Sequence, residues 1–518
     1  MGKASRIKNA KAAVMEQKKE QMALAEQIKK RKKLTSIITT SVVGAICVIL
    51  VGIMAFLTIA DKTGFLLRSK TALESNNNKV SMATFTYILN QQYATFINNN
   101  SSYLSNYGLD PSTSIKVQQI SNDQTWFDYF AKQAKDNIEE MLYVCERAQK
   151  DGMKLEDEDL KQIDNFFAEL KKEAEEMDKE TGEYISMIYG EGVNESDVRK
   201  GLELSVLFNK WYNKNVSSLS YTDDEINKYY EDNINDFRTV DYLYYNIVPA
   251  VTSDMDVNEA DKIKLAAKAD ADKLATATTP DKFKELLKAQ LKKDGITNED
   301  TIESSLTTAQ LTNKTYDEDF DVSKWAFGDA KLYDTYVYEG EDGSYGIYML
   351  TKVPSRDESE QRSVAHILLT KDAYKTDDGA KEKAEELLKQ FTDSKDKSLD
   401  AFKKLAEEYS EDPGVKTNSG VYENFKKGDM VAEFEEWAFA DGRNEGDTGI
   451  VKTTHGYHIM YFIEEGNPVW KDNVVSTIKN NTYDKAFEQM KKDFKVTSYN
   501  KNFSDAPVVL FSSNTANS

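Results

Sequence analysis

The chain has 518 residues and a formal net charge of −21, with 88 Asp and Glu against 67 Lys and Arg. That length exceeds what one hydrophobic core supports, so several domains are expected, and the acidic balance argues against nucleic acid as a partner. With two cysteines, Cys47 and Cys145, far apart in sequence and in different settings, no disulfide framework is expected and the folded parts rest on burial alone.

Residues 1–36 are basic, with eleven Lys and Arg against three Glu and the run KKRKK at Lys29–Lys33. Residues 37–60, IITTSVVGAICVILVGIMAFLTIA, are uncharged and mostly apolar. At about 1.5 Å of rise per residue they can cross a hydrocarbon layer of about 30 Å. The sequence therefore predicts an uncleaved transmembrane helix. The positive-inside bias places the basic segment, net +8, in the cytoplasm and the remainder, net −29, outside. The expected localisation is the cell membrane, single-pass, with extracellular C-terminal domains. A cleaved signal peptide fits less well: the apolar run is much longer than a signal core of roughly 7–15 residues, and Thr58-Ile59-Ala60 is a poor cleavage site.

Residues 61–79 read as a polar linker. From Val80 to Phe237 apolar residues recur at spacings of three and four, through MATFTYILNQQYATFI, the stretch starting at Thr125, and DVRKGLELSVLFNKWYNKNV, which predicts amphipathic helices. Thr222-Asp223-Asp224-Glu225 forms a capping box at the start of another helix. The many Tyr, Phe, Met and Trp residues here read either as an ordinary bundle core or as the lining of a groove for apolar segments of another chain.

At Val240 the period changes. A strand, DYLYYNIV, is followed by helices and by KWAFGDAKLYDTYVYEGEDGSYGIYMLTKV. The same order then recurs as AHILLT, AKEKAEELLKQF, LDAFKKLAEEYS and EWAFADGRNEGDTGIVKTTHGYHIMYFIEE. Laying Trp325-Ala326-Phe327 over Trp437-Ala438-Phe439 puts Asp334-Thr335 beside Asp447-Thr448 and Tyr345-Gly346-Ile347-Tyr348 beside His455-Gly456-Tyr457-His458. This is an internal duplication of about 110 residues. The first copy then has Tyr345 and Tyr348 where the second has histidines, and Asn246 in place of His366, as expected if only the second does chemistry. Residues 466–494 are helical and are expected to return to the helical region, because a lone helix of that length is marginal in water. Residues 495–518 read as a polar tail, disordered apart from Val508–Phe511.

All three histidines of the chain, His366, His455 and His458, lie in the second copy. Ser410, Glu411 and Asp412 follow its second helix; Met430 and Phe434 are four apart, as on one helix face; His458 and Met460 point to one side of the last strand, Tyr457 and Ile459 to the other. The residues alone leave several chemistries open. Three histidines with Asp412 could ligate zinc, although no cysteine is near and the segment is strand-like. Ser410 as a nucleophile lacks a glycine-rich elbow. The histidines could also simply hydrogen-bond within a sheet core.

The motifs AHILL, FKKLAEEYSED, GDMVAEFEEWAF and VKTTHGYHIM, in that order over Arg362–Glu465, resemble the parvulin family of peptidyl-prolyl isomerases. With its helical flanks, the outer part resembles the extracytoplasmic foldases of Gram-positive bacteria, in which parvulin domains are carried by a helical chaperone domain. The resemblance implies that His366 and His458 are the paired histidines beneath the proline site and that Asp412 faces the isomerising amide. It also implies that Met430, Phe434 and Phe439 wall the proline pocket, that Thr453 bonds to the histidine pair, that Tyr422 stands where a pocket leucine is usual, and that His455 is on the rim. The family's GGDLGWF stretch is here Ser419-Gly420-Val421-Tyr422-Glu423-Asn424-Phe425, two glycines short.

The expected fold is thus α+β. It comprises a cytoplasmic segment (1–36), a transmembrane helix (37–60), a linker (61–79), a helical chaperone-like domain (80–238), a degenerate parvulin-like domain (239–357), an isomerase domain (358–465), a C-terminal helix returning to the helical domain (466–494) and a tail (495–518). The expected function is peptidyl-prolyl isomerisation of unfolded or exported polypeptides outside the cytoplasmic membrane, with no cofactor and no metal. The alternative is a membrane-tethered holdase that binds such segments without turnover. Pairing of two chains through the helical region is left open.

Overall fold

The computed structural model describes residues 62–252 and 254–511. Two compact units divide the chain: one takes the chain up to Leu219 together with the chain from Thr482 onward, the other Ser220–Asn481.

The first unit is built on helices α1 (Met82–Asn99), α2 (Trp126–Lys150), α3 (Asp157–Glu176), α4 (Thr181–Tyr189) and α5 (Glu195–Tyr212). They begin where the sequence supplies caps. Ser81 accepts from the Thr84 amide, and Thr125/Asp128 and Asn194/Asp197 form reciprocal capping boxes. Every residue of α1 from Met82 to Asn90 is buried, so this helix is surrounded and not merely amphipathic. The chain's end completes the same core through Met490, Phe503 and Ala506, and Phe503 stacks on Phe85 at 4.4 Å. Thr497–Ser498 adds a strand to Thr71–Glu74. The tail expected to be disordered is therefore, through Phe511, part of this unit.

Among the described residues no helix is long and apolar enough to cross a membrane. This corrects the expected transmembrane helix, and with it the single-pass cell-membrane localisation and the one-helix anchor. The run at residues 37–60 lies outside the described residues. Even α2, 25 residues long, carries Lys132, Asp136 and Glu139 in its first half, where one side is buried, while Met141–Glu146 further on are buried all round.

The second unit holds two four-stranded antiparallel sheets of identical topology. Strands β1 (Thr239–Ile247), β2 (Gln310–Lys314), β3 (Thr335–Glu339) and β4 (Tyr345–Ser355) are ordered β2-β1-β4-β3; β5 (Gln361–Leu369), β6 (Val421–Lys426), β7 (Thr448–Lys452) and β8 (Tyr457–Glu465) are ordered β6-β5-β8-β7. Alternation along the strands gives each sheet two apolar faces. In the second sheet Ala365, Ile367, Tyr457 and Ile459 pack under helices Asp377–Asp393 and Leu399–Tyr409, while Val364, Met460 and Phe462 meet the short helix Ala432–Ala438. Buried on both sides, β5 has no exposed residue.

The ladders fix how the two copies correspond. The Lys331 backbone amide donates to the Asp334 carboxylate as the Asn444 amide does to Asp447, each at 2.9 Å, so these turns match as the sequence suggests. Thr335 then faces Met349 and Glu339 faces Tyr345, as Thr448 faces Tyr461 and Lys452 faces Tyr457. Tyr345 therefore corresponds to Tyr457, Gly346 to His458 and Tyr348 to Met460, two residues away from the alignment drawn from sequence. Tyr244 opposes Tyr348 as His366 opposes Met460, so Tyr244 and not Asn246 takes the place of His366. In the first copy the room left by Gly346 is filled by the rings of Tyr348 and Tyr244, 4.7 Å apart.

The helix Val469–Asp493 serves both units. Its early residues Trp470 and Val474 pack with Ile226 in the second, and its late residues Tyr483, Phe487 and Met490 in the first.

Candidate active site

The two central strands of the second sheet carry the histidines, one each, on the face toward Ala432–Ala438. Because Met460 stands opposite His366 and Leu368 opposite His458, the two imidazoles are diagonal neighbours across the ladder. Their rings lie nearly parallel with centroids 5.1 Å apart, and Nδ1 of His366 is 2.9 Å from Nδ1 of His458. Both residues are buried. On the far side of the pair Thr453 Oγ1 is 2.9 Å from His458 Nε2 and accepts the His455 amide at 3.1 Å. On the near side His366 Nε2 is 3.9 Å from Asp412 Oδ1, beyond hydrogen-bond range, and is buried without a partner.

Proton positions follow from this network. A carboxylate beside His366 Nε2 favours a proton there, which leaves His366 Nδ1 as an acceptor. His458 Nδ1 must then donate to it, and His458 Nε2 accepts the Thr453 hydroxyl proton. The chain Thr453 to His458 to His366 thus ends in one unspent N–H aimed at Asp412. Burial lowers the pKa of His366 to about 4, although Asp412 opposes the shift, and burial together with the neighbouring His366 lowers that of His458 to about 3. At neutral pH both rings are uncharged.

Asp412 is held in a tight loop. Ser410 Oγ accepts from the Leu368 amide at 3.0 Å and from the Asp412 amide at 3.3 Å, and Glu411 accepts from the Thr370 amide at 2.8 Å. Those bonds commit Ser410 to the backbone and give it no base. Gly420, which leads into β6, has φ +79°, and a Cβ there would sit 2.5 Å from the His366 carbonyl oxygen; its own carbonyl accepts from the His366 amide at 2.8 Å. The lost neighbouring glycine is replaced by Ser419, which still adopts φ +51°.

Phe434 is buried, with its ring edge-on to both imidazoles at 5.5 and 5.6 Å and to Phe425 at 5.8 Å. Met430, Phe439 and Tyr422 are half-buried around the same cluster. Met430 precedes the helix and does not share its face, since Val431 is the N-cap. His455 is exposed and stands on the wall of an open cleft of about 730 Å³ with Lys371, Asp377, Lys452 and Gly456. The structure thus brings His366, His458, Thr453, Asp412, Tyr422, Phe434, Met430 and Phe439 together and leaves His455 on the rim. Among the described residues no group of three or more His, Cys, Asp or Glu is arranged to hold a metal ion.

Residues 348–465 match the family described as the PPIC-type PPIASE domain. This segment is a parvulin-type peptidyl-prolyl isomerase domain. Over 115 residues the chain is 38% identical to the foldase protein PrsA of Geobacillus kaustophilus, covering 21% of this chain and 40% of the relative. Over 106 residues it is 38% identical to PrsA of Halalkalibacterium halodurans, covering 20% of this chain and 27% of the relative. The chain therefore spans less than half the length of these curated relatives, and it is homologous to PrsA-type foldases over about a fifth of its own length. The crystal structure of PrsA from Bacillus subtilis aligns over 74% of this chain and 93% of that one, at 16% identity and a TM-score of 0.29.

The bond between Tyr422 and Asp412 described below was not visible in the sequence. Ten residues, a glycine turn and a strand entry separate the two, and no periodicity spans such a gap.

Proposed function

We propose that the whole chain is a foldase that catalyses cis/trans isomerisation of X–Pro bonds in unfolded or exported polypeptides. The observation that carries this is the 2.9 Å imidazole pair ending at an unpartnered His366 Nε2 beside Asp412, set against an apolar wall. Rotation about the amide costs about 20 kcal/mol because resonance keeps it planar. At the twisted midpoint conjugation is lost and the charge on the amide redistributes, so fixed polar groups in a dry site favour the midpoint over either planar form. Met430, Phe434, Phe439 and Tyr422 hold the proline ring. His458 and Thr453 fix the His366 tautomer, His366 Nε2 lies buried behind Asp412, and Asp412 faces the turning amide. His455 contacts residues flanking the proline.

The first sheet supports a second role within the same protein. It keeps the topology but replaces the histidine pair by Tyr244 and Gly346, which suits binding without turnover. The test is acceleration of a proline-limited refolding reaction and of cis/trans exchange in a short X–Pro peptide by the full chain. His366→Ala and Asp412→Ala should each lower the peptide rate. Binding of unfolded protein with no acceleration by the wild-type chain would leave only the holdase alternative.

A further inference from the structure

The two carboxylate oxygens of Asp412 have different surroundings. Oδ2 accepts the Tyr422 hydroxyl at 3.1 Å and the Gly414 amide at 3.0 Å. Oδ1 stands 3.9 Å from His366 Nε2, with nothing between to satisfy that buried nitrogen. Tyr422 lies on β6 opposite Val364, and its ring meets the His366 ring edge-on at 5.1 Å. One side chain therefore touches both the acid and the imidazole. Burial and the adjacent Asp412 raise the pKa of its hydroxyl, so it stays a donor. A carboxylate turns easily about its last bond. Without Tyr422 only the Gly414 amide holds Oδ2, and Asp412 can turn Oδ1 onto His366 Nε2 and lose it to a direct pair.

We propose that Tyr422 is a positioning residue: its hydroxyl pins one oxygen of Asp412, so that the carboxylate stands off from the buried His366 Nε2 and its other oxygen is kept facing the substrate amide. The inference rests on the isomerase reading of the same site. It goes beyond that reading by giving Tyr422 a role through Asp412 in addition to its place in the pocket wall.

Tyr422→Phe keeps the ring against His366 and removes one hydroxyl. The expected result with a prolyl peptide is a fall of about tenfold in kcat with KM held, the scale of one hydrogen bond to a charged group. In an Asp412→Ala background the same change should cost nothing further, because the pathway it acts through is gone. The chain has only three histidines, so the imidazole nitrogen resonances of the full chain can be assigned without substrate. That of His366 Nε2 should move in Tyr422→Phe. An unchanged kcat with an unmoved His366 resonance overturns the proposal, as does a raised KM with kcat intact, which would leave Tyr422 as pocket wall alone. An equal loss in the Asp412→Ala background also overturns it. If the wild-type chain turns over no prolyl peptide, the isomerase reading fails instead, and the His366 resonance alone decides whether Tyr422 positions Asp412.

Discussion

His366 and His458 meet Nδ1 to Nδ1 at 2.9 Å, an arrangement that two charged imidazoles could not keep, since each would present a proton to the other. The pair is a device for a neutral site. In the unfolded chain a histidine titrates near 6.5, whereas here the values fall to about 4 and about 3 because burial disfavours the charged form. The folded form thus binds fewer protons than the unfolded form below pH 6.5. The stability held by the neutral pair is complete above 6.5 and is lost as pH falls through about 4 and about 3. Each histidine contributes a slope of up to about 1.4 kcal/mol per pH unit. Amide exchange at Ile367 and Ile459, followed from pH 7.5 downward, measures it. A slope that persists undiminished in a His366→Gln/His458→Gln variant would assign the effect to other groups.

Met430→Ala removes a half-buried wall residue that lies outside the helix. The expected result is a roughly tenfold rise in KM for prolyl peptides with little change in kcat, as for loss of an apolar contact made equally throughout the reaction. Phe434→Ala is a different experiment, since Phe434 is 3% exposed and its removal should cost about 3–5 kcal/mol. Steady-state kinetics together with thermal melts separate the two.

Gly420→Ala forces a Cβ to within 2.5 Å of the His366 carbonyl oxygen at a φ of +79°. A loss of more than about 1 kcal/mol is expected, with activity falling alongside because the displaced strand carries His366. A melting temperature equal to that of the wild type would show that the turn can rearrange.

Glu146 is a buried carboxylate in the first unit that accepts from Ser75 Oγ, the Asn77 amide and the side chains of Asn77 and Asn78, at 2.6 to 3.2 Å. Glu146→Ala leaves these donors bare and should destabilise that unit by about 3 kcal/mol. Turnover of a short prolyl peptide, which needs only the second sheet, should be unchanged. Calorimetry of the full chain and the peptide assay read the two effects.

Where local chemistry decides the structure, the chain was legible. The Thr222/Glu225 capping box caps the helix Asp223–Asp232 as expected, and the alternation around His458 put it on the face of Met460 and opposite Tyr457 and Ile459. Longer-range relations were not. The two copies slipped by two residues at one hairpin because YGIY and HGYH share a glycine pattern, while the loops before them, residues 340–344 and 453–456, differ in length. Met430 and Phe434 have helical spacing, yet the helix starts between them. Thr497 finds its partner in Glu74, at the other end of the chain, which no window of sequence can reveal. The membrane expectation rested on the length of the apolar run at residues 37–60 and its basic flank, which lie outside the described residues, and the described helices gave it no support.

The helical unit is closed by residues that follow the isomerase unit in the chain: Met490, Phe503 and Ala506 lie in the core that Phe85 and Val144 begin. A ribosome therefore delivers every strand of both sheets before it delivers the last pieces of the bundle. During synthesis the catalytic module can mature while its helical companion is still open, and a chain cut short after residue 481 would keep the enzyme's sheet and lose the bundle's keystone.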